Sequence, residues 1–180
     1  MTRLKQIDPA AAQGRAKELL DVVRGKMGMV PNLMRVMANS PATLEAYLGF
    51  SGALGEGRLD PQLRERFAIA VGSANGCDYC LSAHTLSGGK AGLSDEELTS
   101  ARSGQSSDEK AAAALKFATT LVSKQGRVSD EEIAELKRAG FDDGDITEMV
   151  AHVALNIFTN YFNHVAETEV DFPLVKAAAS

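Results

Sequence analysis

Nowhere in this chain do β-branched and polar residues alternate over a strand's length; its apolar positions recur at helical spacing instead. Around Phe67-Ala68-Ile69-Ala70-Val71 the pattern is apolar nearly all round, the mark of a buried helix. Nearer the end, Val153, Leu155, Ile157, Phe158, Tyr161, Phe162 and Val165 form an apolar helix crossed by His152, Asn156, Asn160 and His164 at every fourth position. Such a polar seam either lines a pocket or makes hydrogen bonds between helices, and buried amides usually find protein partners. Met27, Met29, Met34 and Met37 read as fillers of core gaps or flanks of a pocket.

Punctuation sets the helix ends. Asp8-Pro9, Ser40-Pro41 and Asp60-Pro61 each place a capping side chain before a proline, the pair that opens a helix, and Pro31 starts a short one. Ser94-Asp95-Glu96-Glu97 and Ser129-Asp130-Glu131-Glu132 read as capping boxes, and Ser107-Asp108-Glu109 opens a helix in the same manner. Gly76, Gly92, Gly104, Gly126 and Gly140 fall where helices should stop. The expectation is an all-α bundle of eight or nine helices over 9–27, 31–38, 41–54, 61–75, 78–90, 95–102, 108–125, 130–139 and 143–166.

Composition narrows the class of function. With 180 residues, 44% of them hydrophobic and 24% charged, the chain reads as one soluble domain, 1–180. Within it, 1–58 form an N-terminal helical arm, 59–104 a core around the cysteines, and 105–180 the C-terminal helices. A net charge of −5 without a Lys/Arg cluster argues against nucleic acid or an anionic membrane as partner. The first residues lack the apolar stretch of a secretory signal, and no run approaches a membrane span, so a cytoplasmic location is expected. Thiols there are kept reduced.

That matters because the only two cysteines, Cys77 and Cys80, are spaced Cys-x-x-Cys, with His84 one turn further on. Gly76 ends the preceding helix, so both cysteines belong in the first turn of the next, where unpaired N–H groups favour a thiolate. A thiol of pKa ~8.5 is about 3% ionised at pH 7, and lowering its pKa to ~7 brings it to about half. The helix terminus favours Cys77 as the reactive sulfur. His84 favours Cys80, because it stands four residues from Cys80 but two turns, ~10 Å, from Cys77. A direct base outweighs a screened terminus, which selects Cys80. A disulfide closing so short a loop would be a weak staple, about 2 kcal/mol. Leu81 after Cys80 excludes a c-type haem site, and zinc on Cys77, Cys80, His84 and a carboxylate lacks a second Cys or His pair. No cofactor or metal is therefore expected. Glu65 has no ion-pair partner on its own helix; it is either a proton relay held by a tertiary partner or a plain first-turn residue.

Glu65, eleven residues, then Cys-x-x-Cys-x-x-x-His resembles the signature of the alkylhydroperoxidase D (AhpD) proteins of the carboxymuconolactone decarboxylase superfamily. The flanking Arg-Glu-Arg-Phe-Ala-Ile-Ala-Val and Gly-Gly-Lys-Ala-Gly-Leu-Ser-Asp-Glu-Glu are similar too. The tail Asn160-Tyr161-Phe162-Asn163-His164-Val165-Ala166 with Asp171-Phe172-Pro173 resembles the peroxidase-related subgroup. The resemblance implies an AhpD-like helical bundle, trimeric or hexameric, that reduces organic hydroperoxides and is recharged by a dithiol or a redox adaptor protein. It implies Cys80 as the attacking thiol, Cys77 as the resolving one, His84 as base and Glu65 as the end of a proton relay. Tyr79 departs from the pattern, since family peroxidases often carry a His between the cysteines. Superfamily decarboxylases generally lack the cysteine pair. A non-catalytic thiol sensor is the alternative from a different class.

Overall fold

The computed structural model describes residues 2–178, and among them are nine α-helices and no strand. They are α1 (Gly14–Met27), α2 (Asn32–Met37), α3 (Pro41–Gly55), α4 (Pro61–Ala74), α5 (Asp78–Lys90), α6 (Asp95–Arg102), α7 (Glu109–Ser123), α8 (Asp130–Arg138) and α9 (Asp143–Ala166). Ser40, Asp60, Ser94, Asp108, Ser129 and Asp142 each cap a helix by accepting a hydrogen bond from an amide of its first turn. None of these helices is long and apolar enough to cross a membrane.

The Asp8-Pro9 pair does not open a helix. Asp8 accepts from the Ala10 amide at 3.0 Å and closes one turn, after which Gly14 takes a positive φ of 55° that separates this turn from α1. A capping pair opens a helix only if the next turns can continue it, and that glycine conformation interrupts them.

α4 is the hub, packed against α5, α6, α7 and α9. Phe67, Ile69 and Val71 of α4 are fully buried in one apolar core with Leu81, Leu115, Leu136 and Met149. A second core gathers Leu20 and Val23 of α1, Leu33, Met34 and Met37 of α2, Leu44 of α3, and the start of α5 with Cys77, Tyr79 and Cys80. Met34 and Met37 are gap fillers there, whereas Met27 and Met29 are largely exposed. The first turn of α5 thus lies on the seam between two cores.

A C-terminal strap, residues 168–178, holds that turn in place. Its Ala177 amide donates to Asp78 Oδ1 at 2.8 Å, and its Val175 amide donates to Ser82 Oγ at 2.9 Å. Arg102 donates to the Lys176 carbonyl at 2.6 Å, and the Asn32 amide donates to Asp171 at 2.8 Å.

The Ser129 box forms in full, with Glu132 reaching back to the Ser129 amide. The Ser94 box forms only in half, because Glu97 is drawn elsewhere: to Arg66 Nε at 3.1 Å, Ser106 Oγ at 2.7 Å, and the Ser107 amide and hydroxyl. A guanidinium and three neutral donors outcompete one amide. Glu97 therefore clamps α4 to the α6–α7 turn. The Ser107 donors, then Ser106 and Arg66, hold its carboxyl down at about 2 against an ordinary 4.5. Because the folded value lies below the unfolded one, the stabilisation is complete above about pH 4.5 and drains away as pH falls toward 2. Glu97→Gln is expected to cost about 1–2 kcal/mol at pH 7, with the gap to wild type closing in acid, as read by urea denaturation at a series of pH values.

Candidate active site

Gly76, at φ 66°, reverses the chain between α4 and α5, and the Cys77 amide then donates to the Gly72 carbonyl at 2.9 Å. Cys77 is consequently the N-cap of α5 and not part of its first turn, and its sulfur accepts the Cys80 amide at 3.2 Å. Cys80 lies in the first turn itself. The two sulfurs are joined as a disulfide, with Cα atoms 5.3 Å apart. Both residues are buried, at 2% and 3% exposure, so access to them depends on cavities.

His84 Nδ1 and Glu65 Oε2 stand 2.8 Å apart, a contact between α5 and α4. The carboxylate orients the ring by accepting the Nδ1–H hydrogen bond, which leaves Nε2 as the unprotonated nitrogen. Glu65 is therefore a tertiary partner of His84, and not a plain first-turn residue. Gly88, one turn further along α5, leaves room for the Leu93 and Leu98 side chains: a Cβ there would meet them at 3.2 and 2.7 Å. Cys80 and His84 line one apolar cavity of about 120 Å³, walled by Met27, Leu33, Met34, Tyr47 and Phe172.

The polar group that touches the Cys80 sulfur is Asn163 of α9, whose Nδ2 donates to Sγ at 3.3 Å in a buried setting. Reading the seam at every fourth residue misses it. Four residues advance ~400° around a helix, so each step drifts ~40°, and three steps carry the row ~120° off its starting face. His164 accordingly ends up exposed, while Asn163, eleven residues after His152, stays within ~20° of it. The buried polar row is His152, Asn156, Thr159, Asn160 and Asn163.

The seam divides between both expected roles. Asn160 accepts from the Asn75 side chain at 2.8 Å, and His164 Nε2 donates to the Asn75 carbonyl at 2.8 Å, tying α9 to the end of α4. His152 and Asn156 instead line a second cavity of about 240 Å³ with Arg64 and Glu65, and Tyr47, His84 and Thr159 form the wall it shares with the apolar one. Burial, assisted by Arg64, pushes the His152 imidazole below its ordinary value, so it is neutral at pH 7.

Tyr79 does not take the place of a proton-shuttling histidine. Its hydroxyl accepts the Leu33 amide at 3.1 Å, and its ring meets Phe172 edge to face at 5.5 Å. Burial, with the Asp171 carboxylate nearby, pushes its phenol far above the ordinary range. It stays neutral and serves as a tether between α2, α5 and the strap.

Residues 41–122 match the carboxymuconolactone decarboxylase family. The fold is similar to the alkylhydroperoxidase AhpD core of an uncharacterized peroxidase-related protein from Ralstonia eutropha JMP134, at 22% identity and a TM-score of 0.86 over 94% of this chain and 92% of that one. It is similar to a peroxidase-related protein from Silicibacter sp. TM1040, at 23% identity and a TM-score of 0.80 over 94% of each chain. A third likeness is to a cysteine-to-alanine variant of the debrominase Bmp8 in complex with 2,3,4-tribromopyrrole, at 20% identity and a TM-score of 0.79 over 95% and 92% of the two chains. No curated protein matches the chain in sequence.

The Asn163 contact has a measurable consequence. In a Cys77→Ser background, where Cys80 is the only thiol, Asn163→Leu should slow alkylation of Cys80 by iodoacetamide at pH 7 about three- to tenfold, because the thiolate loses its N–H donor. An unchanged rate would show that the amide does not stabilise the thiolate.

Proposed function

Residues 41–122 match the carboxymuconolactone decarboxylase family and the fold is AhpD-like, and from that premise we propose that the chain is a thiol-dependent peroxidase reducing organic hydroperoxides through Cys77 and Cys80. The observation that carries this reading is the pairing of a cysteine disulfide with an imidazole held by a carboxylate, where Cys80 and His84 face one small apolar cavity. Once the pair is reduced, His84 Nε2 takes the Cys80 proton, and Asn163 donates to the thiolate. Cys80 attacks the terminal oxygen of ROOH; the O–O bond breaks and the alkoxide leaves as ROH with the proton held on His84. The Cys80 sulfenic acid is then attacked by the Cys77 sulfur, releasing water and forming the disulfide. A dithiol donor, free or on an adaptor protein, returns both thiols. No bound cofactor or metal enters these steps, and the cytoplasm supplies the reducing setting.

Cys80→Ser is expected to abolish turnover in a coupled assay with an alkyl hydroperoxide and several dithiol donors. Cys77→Ser should consume one equivalent of peroxide and stop. His84→Gln should lower kcat/KM by roughly 10²–10⁴-fold, the usual contribution of a general base. Full turnover in Cys80→Ser would reject the proposal. Stoichiometric oxidation of wild type without turnover with any dithiol would favour a sensor instead.

One observation supports a second reading. The cavity beside Cys80 is apolar and sized for a small ring, and a protein of similar fold binds 2,3,4-tribromopyrrole. A dithiol can replace a ring halogen by hydrogen, giving the disulfide and hydrogen halide. Bromide release from a bromopyrrole, against hydroperoxide consumption by the same preparation, separates the two.

We further propose a homo-oligomer, trimeric or hexameric. Val150, Phe158, Tyr161 and Val165 form an apolar row along the outer face of α9, exposed by 41–63%. A row of this kind marks a contact surface. Light scattering should find an oligomer for wild type and a smaller species for Tyr161→Glu/Val165→Glu, and a monomeric wild type would overturn the proposal.

A further inference from the structure

Cys77 and Cys80 are joined by one bond, yet they line different cavities. Cys80 lines the apolar cavity of about 120 Å³ that holds His84. Cys77 lines a polar groove of about 360 Å³ with Asp78, His164, Glu167 and Thr168. Tyr79 and Asn163 belong to both linings and form the partition between them.

Resting on the peroxidase reading, we propose that the two substrates of the cycle use separate entrances: the hydroperoxide reaches Cys80 through the apolar cavity, and the dithiol reductant docks in the groove and attacks Cys77. Three features of the groove support this. It is three times larger than the cavity and bordered by the exposed His164 and Glu167, which suits a reductant borne on a larger polar carrier. The reductant arrives as an anionic thiolate, and the groove floor is the start of α5, where the Asp78 and Tyr79 amides have no acceptor within the helix. Thr168 and Asn163, which also line the groove, each keep a buried side-chain oxygen without a partner.

The chemistry fits that direction of attack. A reductant thiolate bonds to the Cys77 sulfur as the S–S bond breaks, and its electron pair leaves on Cys80. That leaving sulfur already receives the Asn163 N–H, and a stabilised thiolate leaves faster. The reductant's second thiol then attacks its own sulfur in the mixed disulfide, closing a cyclic disulfide and freeing Cys77. Two electrons pass to the protein, and both cysteines end as thiols.

Single-cysteine proteins test the assignment. Reduced Cys80→Ser and Cys77→Ser are each mixed with glutathione disulfide, which is bulky and polar, and with cumene hydroperoxide. Cys77 should form the mixed disulfide about tenfold or more faster than Cys80, although Cys80 is the better activated thiol; with the hydroperoxide the order should reverse. Equal rates with glutathione disulfide, or faster reaction at Cys80, would overturn the proposal. A preference for Cys77 in a protein that turns over no hydroperoxide would remove the peroxidase reading while supporting the Cys77-side entrance. Glu167→Trp, at the exposed rim of the groove, gives a check with both cysteines present. Reduction of its disulfide by dithiothreitol should fall more steeply than oxidation of the reduced protein by cumene hydroperoxide, and equal slowing of both would count against two entrances.

Discussion

The wedging of the first turn of α5 between two apolar cores is the constraint from which the rest of the site follows. Cys77, Tyr79 and Cys80 belong to the core built by α1, α2 and α3, while Leu81, next in sequence, belongs to the core around α4. Sulfur chemistry placed there cannot be reached from open solvent. Every reactant must enter through a cavity, and every charge that forms must be met by a group already in place. Burial disfavours a thiolate, so the site needs donors and a base to bring the thiol into a useful range.

Those groups come from three directions. The α5 terminus and its Cys80 amide serve the Cys77 sulfur, Asn163 of α9 serves the Cys80 sulfur, and Glu65 of α4 sets the tautomer of His84. A helix terminus contributes typically 0.3–1 kcal/mol, and a hydrogen bond to a charged group about 1.5–3. Each sulfur receives one N–H donor, so these contributions nearly balance, and His84, one turn from Cys80, is what tips the site toward Cys80.

Most of the helical architecture was legible in the sequence because it rests on local chemistry. Ser40, Asp60 and Ser129 cap as their side chains dictate, and the glycines after α4, α5, α6, α7 and α8 take positive φ values. Failures arose wherever a tertiary partner or a helical phase intervened. Glu97 left its capping box for Arg66 and two serines on the next loop. Asn163 falls outside a seam read at every fourth residue because that stride drifts off a 3.6-residue helix. The spacing of Glu65, Cys77, Cys80 and His84 was visible, but the Glu65–His84 contact depends on how closely α4 and α5 approach, and no local pattern encodes that.

Tyr79 shows how fold and site are coupled. A histidine at that position could carry protons, whereas a buried neutral phenol cannot do so near pH 7. What the phenol does is structural: it accepts the Leu33 amide from α2, packs against Phe172 of the strap, and lies between the cavity at Cys80 and the groove at Cys77. In the proposed cycle, a proton moving to or from Cys80 is carried by the His84–Glu65 pair, which also lines the cavity where Arg64 and His152 stand. On that reading the proton route runs between α5 and α4, while the groove at Cys77 is lined by the α4–α5 turn and the end of α9, with Tyr79 bordering both the groove and the cavity at Cys80. A larger share of the proton work then falls on Glu65 than in a site with two histidines, because losing its carboxylate would free the imidazole to rotate with no second ring to compensate.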